Sequence, residues 1–186
     1  MRTEKTLIII PTFNEIENIS KIIMAVFDTG LSINILVVDD QSPDGTGQEV
    51  RKLMKTFTFK LKVYYEDTDA GGVVYYANYL KFMERARSDA LESLGFTNKK
   101  LIDENGTYII VKSCNISYMK SALLEDNLEI KSNIKEITKT SFFMSQKVFK
   151  GNDQITEAEI HLVTIDKKGK PVKIPETFKE ELEKLI

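Results

Sequence analysis

Three acids, Glu66, Asp67 and Asp69, stand just before a glycine pair, Gly71 and Gly72. A carboxylate can attack an electrophilic carbon or take a proton from water. Glycines let a backbone approach a reactant with no Cβ in the way. The N–H groups at the helix start predicted near Tyr75 to Asn78 suit an oxygen gaining negative charge. Acids, permissive backbone and helix start within about a dozen residues are how a site is built rather than a core. The flanking elements hold it in place. Lys60 to Tyr65 reads as a strand with Leu61, Val63 and Tyr65 on one face, and Tyr79, Phe82, Met83, Ala86, Ala90 and Leu94 recur every three or four residues, as on the buried side of a helix.

The whole chain limits what that site can serve. Its 186 residues suit one ordinary domain or two small ones. The net charge of −2, with acids and bases interspersed, gives no footprint for nucleic acid or an anionic membrane. Lys167, Lys168, Lys170 and Lys173 read as a solvated turn. One cysteine, Cys114, cannot form an internal disulfide, and with a single histidine, His161, no zinc spacing arises, so no metal site is expected and a cytoplasmic location fits. Leu7 to Ile10, closed by Pro11, is too short for a signal-peptide core or a membrane span.

Leu7 to Ile10 and Ile33 to Val38 are continuous apolar runs and read as strands buried on both faces of a parallel sheet. Between them Ile16, Ile19, Ile22, Ile23, Val26 and Phe27 predict a helix ended by Gly30, and Ser42 to Thr46 opens another through Val50 and Leu53. This β-α-β-α order is Rossmann-like, and it places Thr12 to Glu15 and Asp39-Asp40 at the carboxyl ends of adjacent strands, where open α/β sheets bind ligands. The strings IIIPTFNEIENI and ILVVDDQSPDGT resemble the start of family 2 glycosyltransferases of the dolichol-phosphate mannosyltransferase-like kind. The resemblance implies that Pro11, Thr12, Asn14, Glu15, Asp39 and Asp40 descend from a nucleotide-sugar site. It covers residues 1–53 only, and the family's later strands and Asp-x-Asp metal motif are absent downstream, so a fragment is expected.

At Met54 the pattern changes to period-2 alternation. Strands are predicted over Tyr108 to Tyr118, Leu128 to Ile137, Ser141 to Phe149 and Ile155 to Ile165, with turns at Asn105-Gly106, Gly151 to Asp153 and Lys167 to Gly169. A last helix after Pro175 carries Phe178, Leu182 and Leu185. One long helix against an antiparallel sheet is an α+β arrangement. Over 54–186 the strings YYEDTDAGGVVYYANYLKFMERAR, VKSCNISYMKSALLEDNLEI and TEAEIHLVTID resemble hotdog-fold acyl-CoA thioesterases of the 4-hydroxybenzoyl-CoA thioesterase-like group, Tol-Pal-associated branch.

That resemblance implies an acyl-CoA thioesterase with Asp69 as the catalytic carboxylate and the backbone amide of Tyr76 as the polarising donor. It further implies Gly71, Gly72, Val74, Asn78 and Tyr79 around the substrate, and no cofactor, coenzyme A being part of the substrate. It also implies a homodimer or homotetramer and a Tol-Pal envelope or lipid-metabolism association. Many members of the branch carry histidine where this chain has Tyr76; a backbone amide survives that change, an imidazole role does not. Read alone, Asp69 also fits a turn or N-cap aspartate, and Glu66 and Asp67 fit strand-end acids. His161 alternates with Ile160 and Leu162 and reads as structural. Tyr79, Phe82, Phe142 and Phe143 read as core first, with an acyl pocket open to some of them. Two other functions stand beside hydrolysis: a sugar-nucleotide transferase using residues 7–53, and a hotdog protein that binds acyl groups without catalysis.

Overall fold

Two units, Met1–Met54 and Lys55–Ile186, divide the chain, and the computed structural model describes residues 6–29, 31, 33–54, 56–183 and 185. In the first unit β1 (Thr6–Thr12) pairs in parallel with β2 (Ile33–Asp39), in register from Thr6 opposite Ile33 to Thr12 opposite Asp39. Parallel neighbours need a crossover, and α1 (Ile19–Phe27) supplies it; α2 (Thr46–Met54) follows β2. Ile19, Ile23 and Val50 of the helices pack on Ile10, Ile35 and Val37. Neither strand is buried on both faces as expected. Leu7 and Ile9 are 54% and 58% exposed, and Leu36 and Val38 are exposed beside them. The cause is coverage, since the helices occupy one face of a two-stranded sheet. For the same reason Ile16, Ile22 and Phe27, expected on a buried helical face, are exposed. Gly30, the expected helix stop, lies outside the described residues. Among those residues the sheet has no third strand, so the wider sheet of a Rossmann-like segment is not present.

The second unit is a five-stranded antiparallel sheet in the order β3-β5-β6-β7-β4, with β3 Thr56–Lys62, β4 Tyr108–Tyr118, β5 Asn127–Ile137, β6 Ser141–Lys150 and β7 Asp153–Ile165. Alternation sends Leu128, Ile130, Met144, Ile160 and Leu162 to one face. There α3 (Asn78–Ser93) lays down Tyr79, Phe82, Met83, Ala86 and Ala90, all buried, and α5 (Glu176–Glu183) adds Phe178 and Leu182. A sheet curled on one long helix is the α+β hotdog arrangement. Strands β3 and β4 form its two edges.

Two local expectations change. The first strand stops at Lys62, and Tyr65, expected on its inner face, is 82% exposed in a 3-10 turn, Tyr65–Asp67. The Asp67 carboxylate causes this by accepting the Tyr64 N–H at 2.8 Å, which closes the turn. A helix the alternation did not show, α4 (Asn98–Asn105), precedes β4. Thr97 Oγ1 accepts the Lys100 N–H at 3.0 Å to cap its start. Gly106, expected in a turn, ends it at φ 61°, a left-handed conformation natural to glycine.

Candidate active site

The loop between β3 and α3 carries the candidate site residues, and buried polar groups fix it from beneath. Asp67, 6% exposed, gives its carbonyl to the Tyr75 N–H at 2.9 Å and to the Asn78 side-chain amide at 2.9 Å. Asn78, the first residue of α3, is itself buried, so one side chain ties the loop to the helix start. Val74 is buried and donates its N–H to the Ala122 carbonyl, while the Ala122 N–H donates to the Tyr79 hydroxyl at 3.1 Å. Val74, Asn78 and Tyr79, expected around a substrate, thus shape the site from below.

Above them the chain turns tightly. Gly72 takes φ 75°, its N–H donates to the Asp69 carbonyl, and the Asp69 N–H donates to the Val73 carbonyl. Asp69 Oδ1 accepts the Gly71 N–H at 2.8 Å, and the residue is exposed. Asp69 is therefore a turn aspartate in geometry, and the same bond that makes it one fixes the direction of its carboxylate. Glu66 is exposed and Asp67 is spent on the turn, which leaves Asp69 as the directed acid.

Tyr76 lies exposed two residues before α3, and its N–H makes no hydrogen bond among the described residues. Its carbonyl accepts the Tyr118 hydroxyl at 3.2 Å, and the Tyr118 ring stands edge-on to Tyr76 at 6.2 Å and tilted against Tyr79 at 5.8 Å. Tyr118, at the end of β4, was not singled out in the sequence. Its position in the inward alternation with Ile116 is the one signal it carries, since the pairing with Tyr76 spans 42 residues. The adjacent Tyr76 hydroxyl first, then desolvation and the Asp69 charge, push the Tyr75 phenol above its ordinary value. Burial does the same to Tyr79 and Tyr118. An unclaimed N–H on the same loop as a directed carboxylate supplies the two parts that acyl transfer needs, a donor for an oxygen on which charge develops and a carboxylate that can attack or take a proton.

Elsewhere, His161 stacks on Phe143 at 4.0 Å, on the sheet face opposite Ile160 and Leu162 and away from this loop. Among the described residues no group of three His, Cys, Asp or Glu is placed to hold a metal. In the first unit Pro11, Thr12, Asn14, Glu15, Asp39 and Asp40 do come to the same strand ends. The Asp40 N–H donates to the Thr12 carbonyl, the Asn14 N–H to Ser42 Oγ and the Glu15 N–H to Thr46 Oγ1, and the Ser42 hydroxyl bonds the Asp39 carboxylate.

A family model described as the thioesterase-like superfamily matches residues 63–182, and one described as glycosyl transferase family 2 matches residues 7–93. The second match runs past Met54 into the loop and helix of the second unit. The acyl-CoA thioesterase YbgC of Haemophilus influenzae is 38% identical over 124 residues, 66% of this chain and 91% of that protein. The acyl-CoA thioester hydrolase YbgC of Escherichia coli O157:H7 is also 38% identical over 124 residues, 66% of this chain and 92% of that protein. A crystal structure described as a probable thioesterase from Bartonella henselae superposes with a TM-score of 0.62 at 34% identity, over 64% of this chain and 99% of that one.

Proposed function

The chain belongs to the thioesterase-like superfamily, and on that premise we propose that it hydrolyses acyl-CoA to a free acid and coenzyme A, with Asp69 as nucleophile or general base and the Tyr76 N–H polarising the thioester carbonyl. The observation that carries this reading is the exposed Asp69 carboxylate, aimed by the Gly71 N–H, on the same β3–α3 loop that presents an unclaimed Tyr76 N–H at the start of the helix. As a base, Asp69 takes a proton from water while the hydroxide oxygen bonds to the acyl carbon; the C–S bond breaks and the proton passes to the departing sulfur. As a nucleophile, its oxygen bonds to the acyl carbon and expels the thiolate, and water then opens the mixed anhydride. In both routes the carbonyl oxygen gains charge where the Tyr76 N–H can meet it.

Replacing Asp69 by Asn keeps the size and the bond from Gly71 but removes the ability to attack or accept a proton. Turnover, read as release of free coenzyme A thiol, is expected to fall at least about 10²-fold with an unchanged circular dichroism spectrum. Near-normal turnover in a folded Asp69→Asn protein would reject the assignment.

The oligomer belongs to the same reading: a homodimer or homotetramer joined along β4. This strand is an edge of the sheet and exposes Ile110, Val111 and Tyr118, and an apolar edge invites pairing with a second copy. Sedimentation of active protein tests this, and a fully active monomer refutes it. The finer placement in the Tol-Pal-associated branch, with its envelope or lipid-metabolism partners, rests on the YYEDTDAGGVVYYANYLKF string. Interaction with envelope proteins in a pull-down from membranes tests it, and capture no stronger than with an unrelated hotdog protein counts against it. No helix among the described residues is long and apolar enough to cross a membrane. Residues 1–53 are read as a Rossmann-like remnant of a dolichol-phosphate mannosyltransferase-like nucleotide-sugar half, supported by the family 2 match. Such a remnant leaves the full chain without measurable sugar-nucleotide binding in calorimetry, and saturable binding would overturn this.

A further inference from the structure

Beneath the C-terminal half of α3 lies a cavity of about 140 Å³, close to the roughly 150 Å³ that accepts a benzene ring in an engineered core. Leu91 of the helix and Ile109, Phe142, Met144 and Leu162 of the sheet give it apolar walls, and Arg87 also lines it. A partly buried guanidinium is costly unless something compensates its charge. Here the compensation is incomplete. Among the described residues Arg87 makes one hydrogen bond, from Nη1 to the Gln146 side-chain oxygen at 2.8 Å, and that partner is neutral. Gln146 is fully buried and locked in turn, its amide nitrogen donating to the Met83 carbonyl at 3.0 Å and to Ser132 Oγ at 2.8 Å. The guanidinium is thus clamped at one corner, with further N–H donors left over on a fork that fits a carboxylate.

The nearby anion is Glu84, one turn earlier on α3 and also on the cavity wall. Its carboxylate is exposed, accepts the Ser88 hydroxyl at 2.9 Å and makes no ion pair with Arg87 among the described residues. Solvent therefore weakens its opposition to a second anion. Burial pushes the Arg87 guanidinium below its ordinary value, with Glu84 and Cys114 acting in the other direction, yet an arginine stays charged in any such setting. The helix rise puts Arg87 roughly 13 Å along the axis from the first residue of α3, and helical side chains lean back toward the N-terminus. A group bound at the helix start would reach the guanidinium only through several intervening atoms.

We propose that this cavity takes the far end of the acyl group and that Arg87 makes it select chains ending in a carboxylate, so that the preferred substrates are medium-length dicarboxylic acids joined to coenzyme A through one carboxyl. This rests on the thioesterase reading above and extends it to a substrate class. Arg87 is a specificity residue in it, and Gln146 holds Arg87 in place.

The test compares kcat/KM for dicarboxylic monothioesters of coenzyme A, about eight to twelve carbons long so as to cover the roughly 13 Å between helix start and Arg87, with those of the monocarboxylic acyl-CoAs of equal length. The wild type is expected to favour the dicarboxylic series about tenfold or more at its best length, and Arg87→Met to cut that ratio about tenfold or more, as befits loss of a charged hydrogen bond. Glu84→Gln, at an exposed position, removes the opposing charge and is expected to raise the ratio severalfold. The inference is overturned if the wild type prefers the monocarboxylic series at every length, or if neither substitution moves the ratio. Should Arg87→Met fail to fold, the wild-type ratio and Glu84→Gln still decide. Failure of the wild type to hydrolyse either series would overturn the thioesterase reading itself, and the inference with it, whereas hydrolysis without preference removes the inference alone.

Discussion

Gly71→Ala separates the position of the Asp69 carboxylate from the stability of the loop that bears it. A Cβ on Gly71 would lie 3.1 Å from Asp69 Oδ1, inside the 3.4 Å at which ordinary contact begins, and would meet nothing else within 4 Å. The added methyl must therefore move the carboxylate by a few tenths of an ångström, and it disturbs no packing. Because a 1 Å misplacement at a reacting centre costs about 10²-fold, a shift of about a third of that predicts roughly a fivefold loss in kcat/KM. Stability should stay within about 0.5 kcal/mol, as at other surface positions. Gly72→Ala is the control, since its Cβ would touch nothing within 4 Å but its φ is 75°. Strain of that kind costs about 1–2 kcal/mol, or some 2–8 °C in the melting temperature. Hydrolysis of acyl-CoA and thermal melting, measured on both variants, give the two effects separately. If Gly71→Ala keeps full kcat/KM, or loses activity only in step with its melting temperature, the carboxylate is not positioned as argued.

Two further substitutions probe the supports of the site. Gln146→Leu leaves the Met83 carbonyl, Ser132 Oγ and Arg87 without the partner each now has, and should cost about 3 kcal/mol in urea unfolding; a loss below about 1 kcal/mol would contradict a network of that weight. Asp126 anchors the segment after β4 by accepting the Leu123 N–H at 2.8 Å and the Lys150 ammonium at 2.8 Å. Burial works to raise its carboxyl, but the Lys150 bond and the Leu123 N–H outweigh burial and hold it below the ordinary carboxylate value. A group depressed in the folded state contributes in full above its unfolded value, and its contribution is lost as pH falls through the folded one. Asp126→Asn should therefore lower stability near neutral pH and flatten the loss of stability on acidification below about pH 4; an acid limb identical to that of the wild type would show that another carboxylate governs it.

The parts legible in the sequence are those fixed by local periodicity. Tyr108–Tyr118 opens on a run of apolar and β-branched residues and α3 repeats its apolar residues over 16 positions, so both stand where the pattern put them. The loop acids and glycines were legible because their types are unusual together. What was hidden depends on partners far away in the chain. The apolar run in β1 looks the same whether one face or two are covered, and only the helices decide. The end of β3 is set by a side chain, Asp67, that no alternation describes. α4 buries little besides Leu101, so its apolar stripe is too thin to see. The Arg87 bond to Gln146 spans 59 residues and exists because the register of β6 brings Gln146 beneath α3.

The uncovered face of the β1-β2 pair has a cost that falls on the cell rather than on catalysis. Leu7, Ile9, Leu36 and Val38 form an exposed aliphatic stripe on a sheet whose two edges have no partner strand among the described residues. Exposed apolar patches and open strand edges are what newly made chains aggregate through. They are also what holding chaperones and quality-control proteases recognise. A chain that displays this stripe while it folds is open to association with others through it, so the consequence of the bare face lies in the yield of folded protein rather than in the rate of a reaction.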